Sequence, residues 1–167
     1  MIPTPIADFI EKYESSGAAR FHMPGHKGAC RGDITEIDGA GDLFSEDGIV
    51  AESERVASDI FGFKTYYSTE GSSLAIRTMA SLAVRGGKRR AVAARNAHVS
   101  FISAAILLDL DVRWLFPSGN EGRVSCAVTP EDIAAAIDEH DPAFVYVTSP
   151  DYFGNFADIE GIARVCH

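Results

Sequence analysis

The sequence has few cysteines, no long apolar run and no signal-like N-terminus. Cys30, Cys126 and Cys166 are odd in number and widely spaced, so they form neither a disulfide framework nor a CxxC metal site. The longest strongly apolar run, Ile102 to Leu108, is far too short to span a bilayer. Met1 to Pro5 shows no basic region followed by an apolar core, so no secretory signal is expected. A reducing, cytoplasmic location is the natural interpretation.

Positive charge is also scarce. The chain carries 15 Lys and Arg against 24 Asp and Glu, a formal net charge of -9. This surplus opposes binding to nucleic acid or to an anionic membrane surface, and neither partner is expected. The longest basic stretch, residues 88–90, is interpreted as a solvated turn before a strand. With 167 residues and 46% hydrophobic content, the chain can build a core of its own.

The chain divides into an irregular arm and a patterned domain. Residues 1–45 are rich in Gly, Pro and Asp and contain one helical candidate, Pro5 to Glu14. Helical spacing resumes at Glu46 and ends at Gly62. We therefore predict an N-terminal arm over residues 1–45 and a separate domain over residues 46–167.

Strands and helices alternate after residue 62, which predicts an α/β fold with a parallel sheet and helices on both faces. Thr129-Pro130-Glu131-Asp132 carries the signals of a capped helix start. Ligands of such sheets bind beyond the carboxyl ends of the strands. The predicted extended segments are residues 65–69, 90–94, 111–116 and 143–148, and the predicted helices are residues 71–84, 99–108 (buried all round), 129–139 and 158 onward.

One candidate anion site is the segment Ser68 to Ser73. Gly71, Ser72 and Ser73 open a helix, where free backbone N–H groups and the helix dipole favour a phosphate. Gly71 allows close approach of the backbone, and the two hydroxyl groups can donate. The alternative is a plain helix cap, because Ser and Gly are common at helix starts whether or not anything binds.

Two further segments follow predicted strands. His98 lies in Arg95 to Ser100, where an imidazole could stack on a flat cofactor or simply cap the next helix. Ser149 to Gly154 leaves the strand 143–148 and turns over the same sheet edge, although an ordinary loop would look alike. Taken alone, neither segment decides between these interpretations.

The segment Phe21 to Gly28 contains residue types that bind metals. His22, His26 and Cys30 could suggest a metal site, but Pro24 and Gly25 break any helix that would place both histidines on one face. No metal site is predicted.

In their order, these segments resemble the fold-type-I decarboxylases that use pyridoxal 5'-phosphate (PLP) and act on ornithine, lysine or arginine. The resemblance covers nearly the whole chain and indicates the N-terminal portion of such an enzyme. Its most specific motif is HMPGHKG. The motifs are HMPGHKG at 22–28, DITEIDGAGDL at 33–43, STEGSS at 68–73, RNAHVS at 95–100 and SPDYFG at 149–154.

The resemblance implies roles for particular residues. Gly71, Ser72 and Ser73 match the family's phosphate-binding turn, and His98 matches the histidine that stacks on the pyridine ring. Ser149 begins a loop that borders the cofactor. The segment 22–28 matches an arm that precedes the large domain, and the resemblance implies no mechanistic role for its residues. The family also implies a homodimer and a basic amino acid as substrate, without saying which one.

Three positions depart from the pattern that the resemblance implies. Glu70 stands where Asn is common, Val99 where Lys is frequent, and Asp151 where Thr is common. These departures bear on substrate and activity more than on the fold.

The catalytic lysine of such an enzyme is missing from this sequence. PLP catalysis needs a lysine for the Schiff base and an acidic residue at the pyridine nitrogen, and in the family both lie C-terminal to residue 167. Lys12, Lys27, Lys64 and Lys88 do not follow the family's Ser-x-His-Lys pattern. We expect no catalytic residue in this chain, weak or no PLP binding, and no activity by these residues alone.

Three functions remain open at this level: part of a basic amino acid decarboxylase, a non-catalytic or split-enzyme assembly subunit of the same fold, or an unrelated phosphate-binding module. The last lacks GxGxxG and GxxxxGK[ST] motifs. A homodimer or a complementing C-terminal chain is the expected partner. The strand 143–148 should form a sheet edge, and the apolar face of the last helix should lack cover, so the chain alone should be marginally stable or aggregation-prone.

Overall fold

The computed structural model describes residues 2–116 and 127–167. Two compact units make up the chain, Met1–Tyr67 and Ser68–His167. These units are defined by compactness. The predicted boundary at residue 45, between an N-terminal arm and the N-terminal part of the family's large domain, is a different division and stays a prediction. Among the cysteines, Cys30 and Cys166 are exposed free thiols, and Cys126 lies outside the described residues.

The first unit contains two helices, α1 (Pro5–Ser15) and α2 (Gly48–Phe61), with a short 3₁₀ turn at His26–Gly28 between them. The helix predicted from Pro5 is confirmed, and the helix predicted from Glu46 begins two residues later. Gly62 ends α2 in the left-handed conformation, with a φ of 72°, as a helix-ending glycine does. The predicted extended segment 65–69 forms no strand.

The segment that follows α1 folds back onto that helix. Glu14 on α1 accepts hydrogen bonds from the Arg31 side chain at 2.8 and 3.0 Å and from the backbone N–H of Gly32 at 2.9 Å. The hydrogen bond from Arg31, and to a smaller extent the one from the backbone of Gly32, lowers the pKa of the Glu14 carboxyl. The part of the N-terminal arm that follows α1 is therefore anchored to this helix through Glu14, although it contains little regular structure.

The second unit alternates helices and strands, as the sequence predicts. Among the residues described in this unit, three strands form a parallel sheet in the order β2-β1-β3, with β1 in the centre. The predicted α/β class is confirmed, and β3 lies at a sheet edge as expected. The elements are α3 (Gly71–Ala83), β1 (Arg90–Ala94), α4 (Val99–Leu107), β2 (Asp111–Leu115), α5 (Pro130–His140), β3 (Phe144–Tyr146) and α6 (Ile159–Cys166).

The alternating side chains of β1 contribute to two core clusters, one on each face of the sheet. Val92 and Ala94 pack with residues of α5 and α6, whereas Ala91 and Ala93 pack with Phe101 of α4. Phe101 is 0% exposed, and burial of such a side chain is worth roughly 1.5–3 kcal/mol. Its ring stacks on Tyr146 with the centroids 4.4 Å apart.

The helix α4 is not buried all round, and that prediction was wrong. Phe101 and Ala104 face the sheet and are fully buried, but Ile106 and Leu107 are 76% and 70% exposed. Among the described residues, α4 is covered mainly by the sheet and α3, so its outer apolar face has no covering element. Marginal stability of the chain stays a prediction, made from the edge strand β3 and from an uncovered apolar face on α6. That face is covered in part, because Ile162 is buried whereas Ile159 is 49% exposed, and the exposed face of α4 is a further reason.

Candidate functional site

The candidate site lies where β1 and β3 end. Ala93 is paired with Tyr146 in parallel register, so the segments that follow the two strands leave the sheet side by side. The first leads to His98, and the second leads to Ser149. Beyond the carboxyl ends of neighbouring parallel strands is where such sheets bind ligands.

The N-terminus of α3 is open. Glu70 occupies the cap position, but its side chain accepts no hydrogen bond from the helix. Gly71 has a φ of +60°, and a Cβ added there would meet nothing within 4 Å. Glycine is therefore required by the backbone conformation rather than by a close neighbour. The uncapped amides and the helix dipole leave a place that suits an anion.

Glu70 brings a negative charge next to this turn. Its carboxylate forms an ion pair with the Arg77 guanidinium, two turns along the same helix. Arg77 also donates through Nε to the backbone oxygen of Ser73 at 3.3 Å. Because Arg77 offsets the charge of Glu70, the departure from Asn at this position does not by itself exclude an anion from the turn.

His98 is tied to the α3 turn through a residue that the sequence did not single out, Ser100. The Oγ atoms of Ser73 and Ser100 are 2.8 Å apart, and Ser100 Oγ is 2.9 Å from His98 Nδ1. The His98 side chain also caps α4, because Nδ1 accepts from the backbone N–H of Ser100 at 3.2 Å. The His-x-Ser spacing at a helix start is the signal that could have indicated this contact.

Ser149 has a structural contact within its own loop. Its Oγ accepts from the backbone N–H of Ala157 at 3.1 Å, and the Ser149–Pro150 peptide is cis. Asp151 folds the loop by accepting from the backbone N–H groups of Phe153 and Asn155, each at 2.9 Å. The departure at Asp151 therefore has a structural role, and Ser149 lies at the same sheet edge as His98.

A buried acceptor near these segments lacks a partner. The Oδ1 atom of Asn96, between β1 and His98, is buried and accepts no hydrogen bond from the described residues. A buried oxygen of this kind ordinarily finds a donor, so a group from outside the described residues fits here. Separately from this acceptor, the uncapped N-terminus of α3 and the exposed His98 ring suit a phosphate attached to a flat ring.

The HMPGHKG segment forms a tight turn. A Cβ at Gly25 would clash with the backbone oxygen of His22, and Gly25 has a φ of +51°. His26 Nδ1 lies 2.6 Å from Asp33 Oδ2. The backbone hydrogen bond from Thr35, and then His26, lower the pKa of Asp33 to about 2. Within residues 2–116 and 127–167, no group of three His, Cys, Asp or Glu could hold a metal ion.

The structure and the family comparison agree on the class of protein, an α/β domain built on a parallel sheet. The model of the Orn/Lys/Arg decarboxylase major domain matches residues 29–167. The chain belongs to this family. The expected fold, part of a fold-type-I large domain with a parallel sheet, is confirmed.

Several curated bacterial relatives of this chain are named arginine decarboxylase. The chain is 30% identical to an arginine decarboxylase of Bacillus subtilis (strain 168) and 29% identical to one of Halalkalibacterium halodurans, over 98% of this chain in both cases. The chain spans 37% of the length of each of these relatives. In the part of the chain that the structure describes, no helix is long and apolar enough to cross a membrane.

Proposed function

We propose that this chain supplies the phosphate-binding and ring-stacking part of a PLP-dependent decarboxylase of a basic amino acid. The observation that carries the proposal is the hydrogen-bonded connection from Ser73 through Ser100 to His98. This connection joins the uncapped N-terminus of α3 to the exposed imidazole of His98, beyond the carboxyl ends of the strands. A phosphate and an aromatic ring on one small molecule require these two features side by side.

In this proposal, each group has a distinct part. The backbone N–H groups at Gly71, Ser72 and Ser73 bind the phosphate with help from the helix dipole. His98 lies against the ring, and the Ser149 loop borders it. When bound, the cofactor supplies the electron sink that decarboxylation requires.

The substrate is proposed to be a basic amino acid. Two of the relatives described above are named arginine decarboxylase, which favours arginine over lysine and ornithine. Family membership leaves an unrelated phosphate-binding module without support.

Catalysis is proposed to need a second source of residues. Lys64 and Lys88 are engaged elsewhere, with the Tyr66 ring 5.1 Å from Lys64 Nζ and Asp141 Oδ1 2.6 Å from Lys88 Nζ. A homodimer of a longer chain, or a complementing C-terminal chain, would supply the Schiff-base lysine. A non-catalytic or split-enzyme assembly subunit is the alternative, and it shares the same binding edge.

The binding half of the proposal is tested by titrating the labelled chain with PLP and with inorganic phosphate, followed by NMR. Both ligands should shift the amide signals of Ser72 and Ser73, and only PLP should shift the ring signals of His98. The N-terminus of α5 is a matched control because Thr129 already caps it. Because binding by these residues alone is expected to be weak, each ligand is added to large excess. Equal shifts at both helix N-termini, or none at α3 under these conditions, would contradict the proposal.

The catalytic half is tested by carbon dioxide release from arginine, lysine and ornithine in the presence of PLP. The chain alone should release none, because no family-type lysine is present. Release of carbon dioxide by the purified chain would show that one of its own four lysines acts as the Schiff-base lysine. That result would overturn the proposal that this lysine comes from outside residues 1–167.

A further inference from the structure

We propose that the two hydroxyl groups of the α3 turn have different tasks: Ser72 donates to the phosphate, whereas Ser73 acts through Ser100 to orient His98. Ser73 and Ser100 are then positioning residues. The inference rests on the proposed function, in that a phosphate is taken to bind at this turn. It departs from the simple expectation that both serines hold the phosphate through their hydroxyls.

The first step fixes the tautomer of His98. The backbone N–H of Ser100 points at Nδ1 over 3.2 Å, so Nδ1 is an acceptor and carries no hydrogen. A neutral imidazole with a bare Nδ1 carries its hydrogen on Nε2. The capping contact therefore selects one tautomer.

The second step fixes the direction of the two remaining hydrogen bonds. Ser100 Oγ lies 2.9 Å from the bare Nδ1, so the Ser100 hydroxyl donates to it and shares the single lone pair of Nδ1 with the backbone N–H of the same residue. Ser100 is only 5% exposed, which leaves little access for a competing water. Its single hydrogen is then in use, and the 2.8 Å contact between the two Oγ atoms requires Ser73 to donate to Ser100.

The third step separates the two serines of the turn. With its one hydrogen directed at Ser100, the Ser73 hydroxyl would present only lone pairs to a phosphate, and these repel an anion. Ser72 is exposed, and its hydroxyl makes no hydrogen bond to any residue in the described ranges. Its hydrogen is therefore available to a phosphate, while the backbone N–H of Ser73 can still bind.

This arrangement also explains how the ring is held. The imidazole is oriented from its own helix by the Ser100 backbone and from α3 by the Ser73 hydroxyl. Because α3 also carries the phosphate turn, the ring orientation is coupled to the position of the phosphate. A ring that stacks on a cofactor needs such a fixed plane.

The test uses three alanine variants of the full chain: Ser72→Ala, Ser73→Ala and Ser100→Ala. The ¹⁵N signals of the His98 imidazole report the tautomer without any ligand, and titration with inorganic phosphate or PLP reports affinity. Ser72→Ala should weaken binding by about 10-fold, the loss of one hydrogen bond to a charged group, and leave the imidazole signals unchanged. Ser73→Ala and Ser100→Ala should change the affinity for inorganic phosphate by less than about 2-fold. They should keep the same tautomer, because the backbone contact to Nδ1 remains, but shift and broaden the Nδ1 signal, because the ring loses the hydroxyl contacts that fix its orientation.

Conservative variants separate positioning from folding. Ser73→Thr and Ser100→Thr keep the hydroxyl, so a variant that folds should recover the wild-type imidazole signals. Circular dichroism identifies any variant that fails to fold, and the Ser73 variants then decide the matter because Ser73 is only half-buried.

Two results would overturn the inference. One is a loss of affinity in Ser73→Ala as large as that in Ser72→Ala. The other is an unchanged imidazole spectrum in both Ser73→Ala and Ser100→Ala. If the wild-type chain binds neither phosphate nor PLP, the proposed function fails and the task of Ser72 fails with it. The ligand-free imidazole spectrum would still decide the tasks of Ser73 and Ser100.

Discussion

The N-termini of α3 and α5 lie in the same unit and differ in how their amides are satisfied. At α5, Thr129 Oγ1 accepts from the backbone N–H of Asp132 at 3.1 Å, and Asp132 Oδ2 accepts from the backbone N–H of Thr129 at 3.0 Å. At α3, Glu70 makes no such contact. His98 caps α4 and Asp158 caps α6.

This difference indicates where a ligand can bind. A helix whose first amides are satisfied by its own side chains gains stability but offers little to an anion. The open end of α3 gives up that stabilisation and keeps its amides available, and it is the end connected to His98. The N-termini of α1 and α2 in the first unit also lack a side-chain cap, so it is the connection to His98, and not the missing cap alone, that distinguishes α3. Three substitutions can challenge this conclusion.

The largest effect is expected at Gly71. Gly71→Ala forces a side chain into a left-handed conformation, which costs about 1–2 kcal/mol or changes the turn. Urea unfolding of the variant measures the cost. Ser72→Ala, one residue later in the helix, is the matched control and should change stability by less than about 0.5 kcal/mol. Equal effects at both positions would mean that the turn conformation is not under strain.

A smaller effect is expected at the capped end. Thr129→Ala removes the α5 cap and should lower the free energy of unfolding by about 1 kcal/mol. The control is Glu70→Ala at the corresponding position of α3, where no cap is lost and only an exposed ion pair is broken. Its cost should be within about 0.5 kcal/mol. A larger loss at Glu70 than at Thr129 would reverse the comparison.

The smallest effect concerns the charge beside the open turn. Glu70→Gln removes a negative charge from the anion site, and phosphate affinity should rise by roughly 2–5-fold at low ionic strength. Glu131→Gln in the first turn of the capped α5 is the control and should leave the affinity unchanged. Calorimetric titration at two salt concentrations provides the measurement. A fall in affinity for Glu70→Gln would indicate that Glu70 itself takes part in binding.

Much of the second unit could be predicted because its signals are local. The strand Arg90–Ala94 and the capping box at Thr129 follow from short runs of residue types, and both were predicted correctly. The predicted cover of α4 was wrong because apolar periodicity reports which side chains avoid water, not which neighbours are present. Ile106 and Leu107 illustrate that limit.

In the candidate site, too, some residues could be predicted from local signals and one could not. Gly71, Ser72, Ser73, His98 and Ser149 were found from motifs and from their positions after strands and at helix starts. Whether they hold a cofactor stays a proposal. Ser100 was missed because its role depends on Ser73, which lies 27 residues away and on another helix. No pattern along the chain encodes such a contact.

By itself, the sequence determined the α/β class, the turn at Gly71 and the family resemblance, because these depend on neighbouring residues and on motif order. Only the tertiary structure decided that the N-terminus of α3 is uncapped whereas that of α5 is capped, and that the buried Ser100 connects the Gly71 turn to His98. Side-chain hydrogen bonds between elements depend on distances of a few ångströms, which are set by how α3 and α4 pack.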